Sequence, residues 1–463
     1  MQSHPLKIFL QYVSLNVLGM LSISFYILID TIFIAQRLGP SGLAALNFAI
    51  PIYGLTHSTG LMIGIGGAIK YTIYRSQSKQ ALANHVFSAT ITLAMIMAFV
   101  YFIMGVFFYE NVAVFLGARG PLLEMTAIYI RVILVFSPIY IINNIMIAYI
   151  RNDGAPSLAM GGMLMSSISN TVLDYIFLFV LSWGMFGAAF ATTIGATLSI
   201  LYMSQHIIKR KNSFSFGSFK KLYKMWWVII ILGLSTFIVD FSYGVVMIVF
   251  NRILMGLGGT VAVASFGVIA NLAIVAIAIF IGVAQGIQPL ITQSYSIGNY
   301  FLLKQYLRYA FISLLLIGIT MYLGVFIFSD AIVSIFNPEG DQALQTIATT
   351  GLKIYFVGLI FAAFNILYSA FFSATENPKM GLIIVFLRGF ILILPAVVLM
   401  AQVYGLEGTW SAFVVAEGLT LIVAIGLMIV TMRNVFYPLK NEQLICPLND
   451  EYESTIIKTQ DSL

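Results

Sequence analysis

Charge is scarce in this chain. Asp, Glu, Lys and Arg together make up 9% of its 463 residues, against about a quarter in soluble proteins. Hydrophobic residues reach 60%, and the mean hydropathy is +0.99. A soluble fold this apolar has nowhere to put its surface, whereas a bilayer accepts helices of roughly 20 apolar residues on all sides. Cysteine is almost missing too. Cys446, the only one, lies in the polar C-terminal stretch, so a disulfide or a cysteine metal site within the chain is excluded. His4, His57, His85 and His206 have no metal-ligand spacing. No cleavable signal is expected, because the apolar stretch after Lys7 is long enough to span a bilayer and leads directly into more hydrophobic sequence. No nucleophile stands beside a base and no cofactor motif appears, which argues against an enzyme or an ATP-driven pump.

What is present is a series of apolar stretches cut by charged and Gly/Pro-rich segments. They lie near residues 8–34, 43–69, 86–109, 122–150, 157–181 and 185–208, then 226–254, 261–291, 309–329, 344–373, 380–401 and 408–432. The expected fold is an all-α membrane protein of twelve transmembrane helices, spans 1 to 12 in chain order. Its organisation is an N-terminal six-helix half (1–208), a basic cytoplasmic linker (209–225), a C-terminal six-helix half (226–432) and a polar cytoplasmic tail (433–463).

The basic residues orient it. If the N-terminus is cytoplasmic, Arg37, Arg119 and Arg252 fall on outer connections and Arg131, Lys353 and Arg388 within spans, and the rest of the 23 lie inside. Acids such as Glu110, Glu124, Asp330, Glu339 and Asp341 gather on the outer side. The positive-inside rule therefore places both termini in the cytoplasm. A pI near 9.1 suits nucleic acid, but the basic residues sit in short segments between spans, which is topology and not a binding face.

An internal repeat is legible. YIRNDGAPSLAMGG, after span 4, lies on FFSATENPKMGLII, after span 10, with Pro156 facing Pro378 at an offset of 222. WGMFGAAFAT from Trp183 faces YGLEGTWSAF from Tyr404 at 221, and the segment from Glu110 to Arg131 faces that from Asp330 to Lys353 at 220 to 222. A half of six spans returns to its starting side, so the halves are parallel and related by a pseudo-two-fold axis along the membrane normal. A cleft between two such halves is the usual place for alternating access.

Ionisable residues remain inside the spans: Asp30, Asp174, Asp240, Glu417, Arg131, Lys353 and Arg388. A charge at the bilayer centre costs at least ~2.5 kcal/mol, so each is a functional candidate, to be weighed against an inert hydrogen-bonded helix contact. Asp30 precedes Arg37 by seven residues, Asp174 precedes Leu181 by seven, and Thr192 follows Met185 by seven. At about 1.5 Å per residue, all three lie roughly 10 Å below the outer edge. Asn170 is one turn from Asp174 on the same helix face. These hard oxygens suit Na⁺, and because a low dielectric disfavours adjacent charged carboxylates the same set can hold a proton instead. Asp240 in span 7 has no evident partner at its depth. Lys353 and Glu417 are expected to pair as structural glue, Arg131 to balance Asp30 or Asp174, and Arg388 to snorkel to the inner interface. GIGGAIKYT (Gly64 to Thr72) lacks phosphate-loop spacing and reads as small residues that let helices pack closely. The many Met, Phe and Tyr side chains suit both lipid contact and an adaptable cavity for apolar cations.

With the repeat and the acids in place, residues 7–432 resemble the multidrug and toxic compound extrusion (MATE) family, most closely its bacterial multidrug branch. The marks are IDTIFIAQRLGPSGLAAL from Ile29, IRNDGAPSLAM from Ile150 and SNTVLDYIFLFVLSWGMFGAAFATTIG from Ser169. The resemblance implies that Asp30 is the span 1 acid that drives that helix, that Asn170, Asp174 and Thr192 complete a cation site, and that Asp240 stands near a span 7 acid used in coupling by some relatives. Leu15 and Ser235 replace prolines common in the family, which favours rigid rocking of the halves over a bend in span 1. The expected function is secondary active efflux of bulky, often cationic drug-like molecules in exchange for H⁺ or Na⁺, across a bacterial inner membrane. The alternative is a flippase for a lipid-linked saccharide or other amphipath. Expected partners are the substrates and membrane lipids, with no nucleic acid, no cofactor besides the coupling ion, and a monomeric state.

Overall fold

The computed structural model describes residues 4–337 and 340–436. The expected tail from 433 therefore lies outside the described residues from 437 onward, together with Glu339. Among the described residues there are helices and no strands. Three long helices are broken by a glycine in left-handed or neighbouring backbone space, Gly39, Gly259 and Gly405, where only the missing Cβ makes the turn inexpensive. Divided there, the chain crosses twelve times. Spans 1 and 2 are Pro5–Gly39 and Ser41–Ser76, and span 3 is Gln80–Phe107. Span 4 is the bent pair Pro121–Val135 and Ser137–Asn152, at 52°. Span 5 is Pro156–Val180 and span 6 Gly184–Ile208. Spans 7 and 8 are 222–258 and 260–296, span 9 is Tyr300–Phe336 and span 10 Gln342–Ala374, and spans 11 and 12 are 378–404 and 406–436.

Helix starts follow local chemistry. Proline, which lacks the amide a first turn leaves unused, opens Pro5, Pro121, Pro156 and Pro378. Asn299 caps the Leu302 amide at 3.1 Å, and Asp341 caps Ala343 at 2.8 Å.

The backbone carries the repeat. Positive φ recurs at Gly39 and Gly259, Ser78 and Gly298, Gly120 and Gly340, Gly154 and Glu376, and Gly184 and Gly405, pairs separated by the offsets already legible in the sequence. The two halves are thus one backbone pattern used twice.

Buried apolar side chains form two clusters. One runs from Ile34 through span 6, the other from Phe250 to Met428. The starts of spans 1 and 7 are exchanged: Phe9 and Val13 pack in the second cluster, and Met225, Ile229 and Leu232 in the first. Glycines make this crossing possible. A Cβ on Gly66 would lie 2.0 Å from the Ile229 carbonyl oxygen, and one on Gly233 would lie 1.9 Å from that of Met62. On the symmetric side, Cβ atoms on Gly282 and Gly286 would meet the backbone of Val17 and Val13 at 2.7 and 2.9 Å. The GIGGAIKYT segment is a helix-packing surface, as its small residues suggest.

Candidate functional site

Span 1 carries Asp30 against spans 5 and 6, which carry Asn170, Asp174 and Thr192. All four are buried, Asp174 completely. Asn170 Nδ2 donates to Thr192 Oγ1 at 3.1 Å, and Thr192 donates to the Ala188 carbonyl at 3.2 Å. Asp30 and Asp174 lie within hydrogen-bonding reach of each other. What defines the site is its excess of acceptors. Asp30 Oδ1, Asn170 Oδ1 and both Asp174 oxygens are buried and receive no hydrogen bond. Buried acceptors left without donors cost free energy, and a proton or a hard cation is the species such a set of oxygens accommodates. Among the described residues no cluster of three or more His, Cys, Asp or Glu side chains forms a metal site.

The helix leaves its regular form beside this set. Directly after Tyr175 comes a π-helical turn, Ile176–Val180, a feature that frees backbone groups and recurs at functional sites. Arg37, at the far end of span 1, donates Nε to the Leu178 carbonyl at 3.0 Å and Nη2 to Ser182 Oγ at 2.9 Å. Span 1 is therefore tied to the widened turn as well as to the carboxylate below it.

A second set lies nearer mid-membrane. The Tyr26 and Tyr53 hydroxyls share a hydrogen bond of 2.8 Å, Tyr53 stacks on His57 with ring centroids 5.8 Å apart, and Asn144 Nδ2 reaches His57 Nδ1 at 3.2 Å. Ser58 donates to Asp240 Oδ2 at 2.9 Å from span 2, across the lobe boundary. Asp240, expected to lack a partner, thus has one, because the spans 2 and 7 that hold the pair cross closely at Gly66 and Gly233. It does not join the other four sequence-predicted residues. Tyr26, Tyr53, His57 and Asn144 were not foreseen, since uncharged polar residues in a hydrophobic sequence are too common to single out.

The remaining intramembrane charges correct the sequence reading. Glu417 pairs with Arg388 and not with Lys353: Arg388 Nε and Nη2 reach Glu417 Oε1 at 3.0 and 2.7 Å, and Asn365 Nδ2 donates to Oε2 at 2.7 Å. Arg388 therefore does not snorkel. Its segment Leu387–Ile391 is also a π-helical turn. Lys353 lies over the Phe326 ring at 5.5 Å and exposed Arg131 over Tyr109 at 4.9 Å, away from Asp30 and Asp174. Depth estimates alone cannot assign such partners, because helix rotation decides the facing side.

Two cations assigned to loops are buried between the lobes. Lys70, 4% exposed, pairs with Glu376 at 2.7 Å. Arg151, 1% exposed, donates Nη1 to Asn16 Oδ1 at 2.8 Å and Gln285 Oε1 at 3.0 Å, and Asn16 donates to the Gly282 carbonyl at 2.9 Å. Among the described residues, the hydrogen bonds joining the lobes run from the end that holds Lys70 and Arg151 only as far as Ser58 and Asp240. Beyond that level, a Cβ on Gly54 or Gly244 would point into open space.

The family model MatE matches residues 17–176 and 235–399, one match in each half. The chain belongs to the MatE family. It is accordingly a multi-span membrane transporter. The multidrug export protein MepA of Staphylococcus saprophyticus is 26% identical over 377 residues, covering 81% of this chain and 82% of that protein. A MATE crystal structure in complex with MaL6 matches with a TM-score of 0.88 at 22% identity, over 94% of this chain and 98% of its own. An outward-facing multidrug resistance MATE transporter of the MOP superfamily matches with 0.88 at 21%, over 94% and 97%. At such identities these structures establish the MatE fold.

Proposed function

We propose that this MatE protein is a secondary active multidrug exporter of the bacterial inner membrane, with both termini cytoplasmic. It exchanges H⁺ or Na⁺ at Asp30, Asn170, Asp174 and Thr192 for bulky, cationic organic molecules held between the halves 1–208 and 226–432. The observation that carries this reading is the set of four buried acceptor oxygens without donors beside a span that also reaches the inter-lobe boundary. The curated relative named for multidrug export supports the substrate class.

Asp30 and Asp174 can lie this close without mutual repulsion only while a positive charge or a proton is shared between them. In that state they hold span 1 against span 5. When both are ionised, their repulsion loosens span 1, whose Tyr26 is joined to Tyr53 and hence to His57 on span 2. Occupancy of the carboxylates is thereby felt at the lobe boundary, where Asp240 and the aromatic side chains offer a cationic substrate an anionic and π-rich surface. Exchange follows because one arrangement of span 1 cannot satisfy both sites at once.

The test is transport of a fluorescent cationic dye in proteoliposomes under an imposed pH or Na⁺ gradient. The wild type is expected to move dye under one of the two gradients, which identifies the ion, and Asp174→Asn to lose gradient-driven movement while keeping its melting midpoint. If folded wild type moves no dye under either gradient, the multidrug reading is wrong and lipid-linked substrates become the next class to assay.

A further inference from the structure

The connection between the two halves contains residues of two kinds. Lys209, Arg210, Lys211, Lys220 and Lys221 are exposed cations, and between them stand Phe214, Phe216 and Phe219. A tether of this length in water would be expected to bury its aromatics or move freely. This one buries only Phe214 and is held in place.

The segment is held on the first lobe. Phe214 is 5% exposed, packed on Phe87 and Tyr149 with centroids 4.9 and 5.7 Å away. The Ser213 amide donates to Asp153 Oδ2 at 3.0 Å, and the Ser213 hydroxyl bonds the same carboxylate and lies 2.9 Å from the Tyr71 hydroxyl. Asp153 also binds Arg75 at 2.6 Å and His206 at 2.9 Å. Gly217 donates to Ser88 Oγ at 2.8 Å, and the Ser218 carbonyl lies 2.7 Å from His85 Nδ1. Gly217 is needed there, because a Cβ would fall 2.7 Å from the His85 amide nitrogen.

Held in this way, the segment cannot turn its remaining aromatic rings inward. Phe216 is 63% exposed and Phe219 is 61% exposed, their rings 6.2 Å apart, and Tyr223 and Trp227 follow at 61% and 62%. Depth says what they face. Phe216 packs at 5.3 Å on Phe87, which stands seven residues inside the start of span 3, roughly 10 Å along the helix. Span 3, with 28 residues, is about 42 Å long and so matches a bilayer together with its headgroups, which puts this level near the boundary where aromatic belts sit. Fixed aromatic rings at interfacial depth, flanked by cations at the helix ends, are the features of an interfacial lipid-binding segment.

We propose that residues 207–224 form a strap that binds anionic phospholipid headgroups and anchors the first lobe to one leaflet. Charge complementarity selects anionic over zwitterionic lipid, and the ring pair enters the acyl boundary. Because Ser213, Phe214 and Gly217 fix the strap to the first lobe, the anchored body is that lobe, and the second is left to move beyond Lys221, whose backbone is left-handed at φ 54°.

The experiment is native mass spectrometry of the full chain released from mixed phosphatidylglycerol and phosphatidylcholine vesicles. Two variants accompany it: Lys209→Gln/Arg210→Gln/Lys211→Gln, and Phe216→Ser/Phe219→Ser. Each cation near an anionic surface strengthens attachment by about fivefold. The wild type is therefore expected to retain phosphatidylglycerol preferentially, and the triple variant to lose that preference by at least about tenfold. The aromatic variant is expected to retain fewer lipids of both kinds. All altered side chains are exposed, so unchanged melting midpoints separate lipid loss from unfolding. Equal phosphatidylglycerol preference in the wild type and the triple variant overturns the proposal. So does displacement of the retained lipid by millimolar inorganic phosphate, which would mark an ion site instead of a membrane surface.

Discussion

Asp174 and Glu417 are both carboxylates buried within spans, and they differ in what reaches their oxygens. Glu417 receives two bonds from Arg388 and one from Asn365, whereas both Asp174 oxygens receive none. The second lobe thus contains its own fixed cation beside Glu417, while the Asp174 oxygens of the first have no such donor, and this contrast is why the proposed exchange places coupling in the first. Breaking a buried pair leaves an uncompensated charge and costs about 3–5 kcal/mol, but replacing both members with apolar groups is often nearly neutral. Glu417→Gln should therefore lower the melting midpoint sharply, whereas Arg388→Met/Glu417→Leu should restore it with dye transport intact. Loss of transport in a fully stable double variant would show that the pair takes part in coupling. That Asp30, Asp174 and Thr192 lie at one height was legible from helical rise, and that Asn170 stands beside Asp174 from its place one turn away on the same face. The partners of Glu417, Arg131 and Asp240 were not, because rise says nothing about which neighbour a helix faces.

At the scale of elements, the positive-φ positions recurring through both halves show how little freedom the connections have. The glycine crossings matter more for movement. Gly66 and Gly233 let spans 2 and 7 approach until backbone meets backbone, and Gly282 and Gly286 do the same for spans 8 and 1. An added methyl at Gly66 has no space, and overpacking of this kind costs about 1–3 kcal/mol. Gly66→Ala is expected to lower the melting midpoint, while Gly54→Ala, whose Cβ enters open space, leaves it unchanged. Similar midpoints for the two would mean that the crossing yields easily. The π-helical turns beside Asp174 and at Arg388 left no mark in the hydrophobic pattern, because one extra residue in a turn does not alter the polarity of a span that is apolar all round.

For the whole molecule, one end of the lobes is held together by a buried lysine and a buried arginine. Glu376, partner of Lys70, adopts φ 56° where the first half has Gly154. A non-glycine residue in that region is strained, and such strain commonly marks function. Glu376→Gly should relieve the strain and remove the ion pair together, opening that end of the lobe boundary more often. Cys446 is the only cysteine, so replacing it with serine permits a single reporter at buried Ala284. Thiol labelling of Ala284→Cys is expected to quicken several-fold in the Glu376→Gly background, and an unchanged rate would assign closure to the glycine crossings alone. The amino-acid sequence by itself determined the membrane as solvent, twelve spans, the repeat and the height of the acids, since hydropathy, spacing and helical rise are local quantities. Tertiary structure alone decided which charges are paired, which polar residues meet between the lobes and that the linker lies fixed on the first lobe, since each depends on helix rotation and on contacts between residues far apart in the chain.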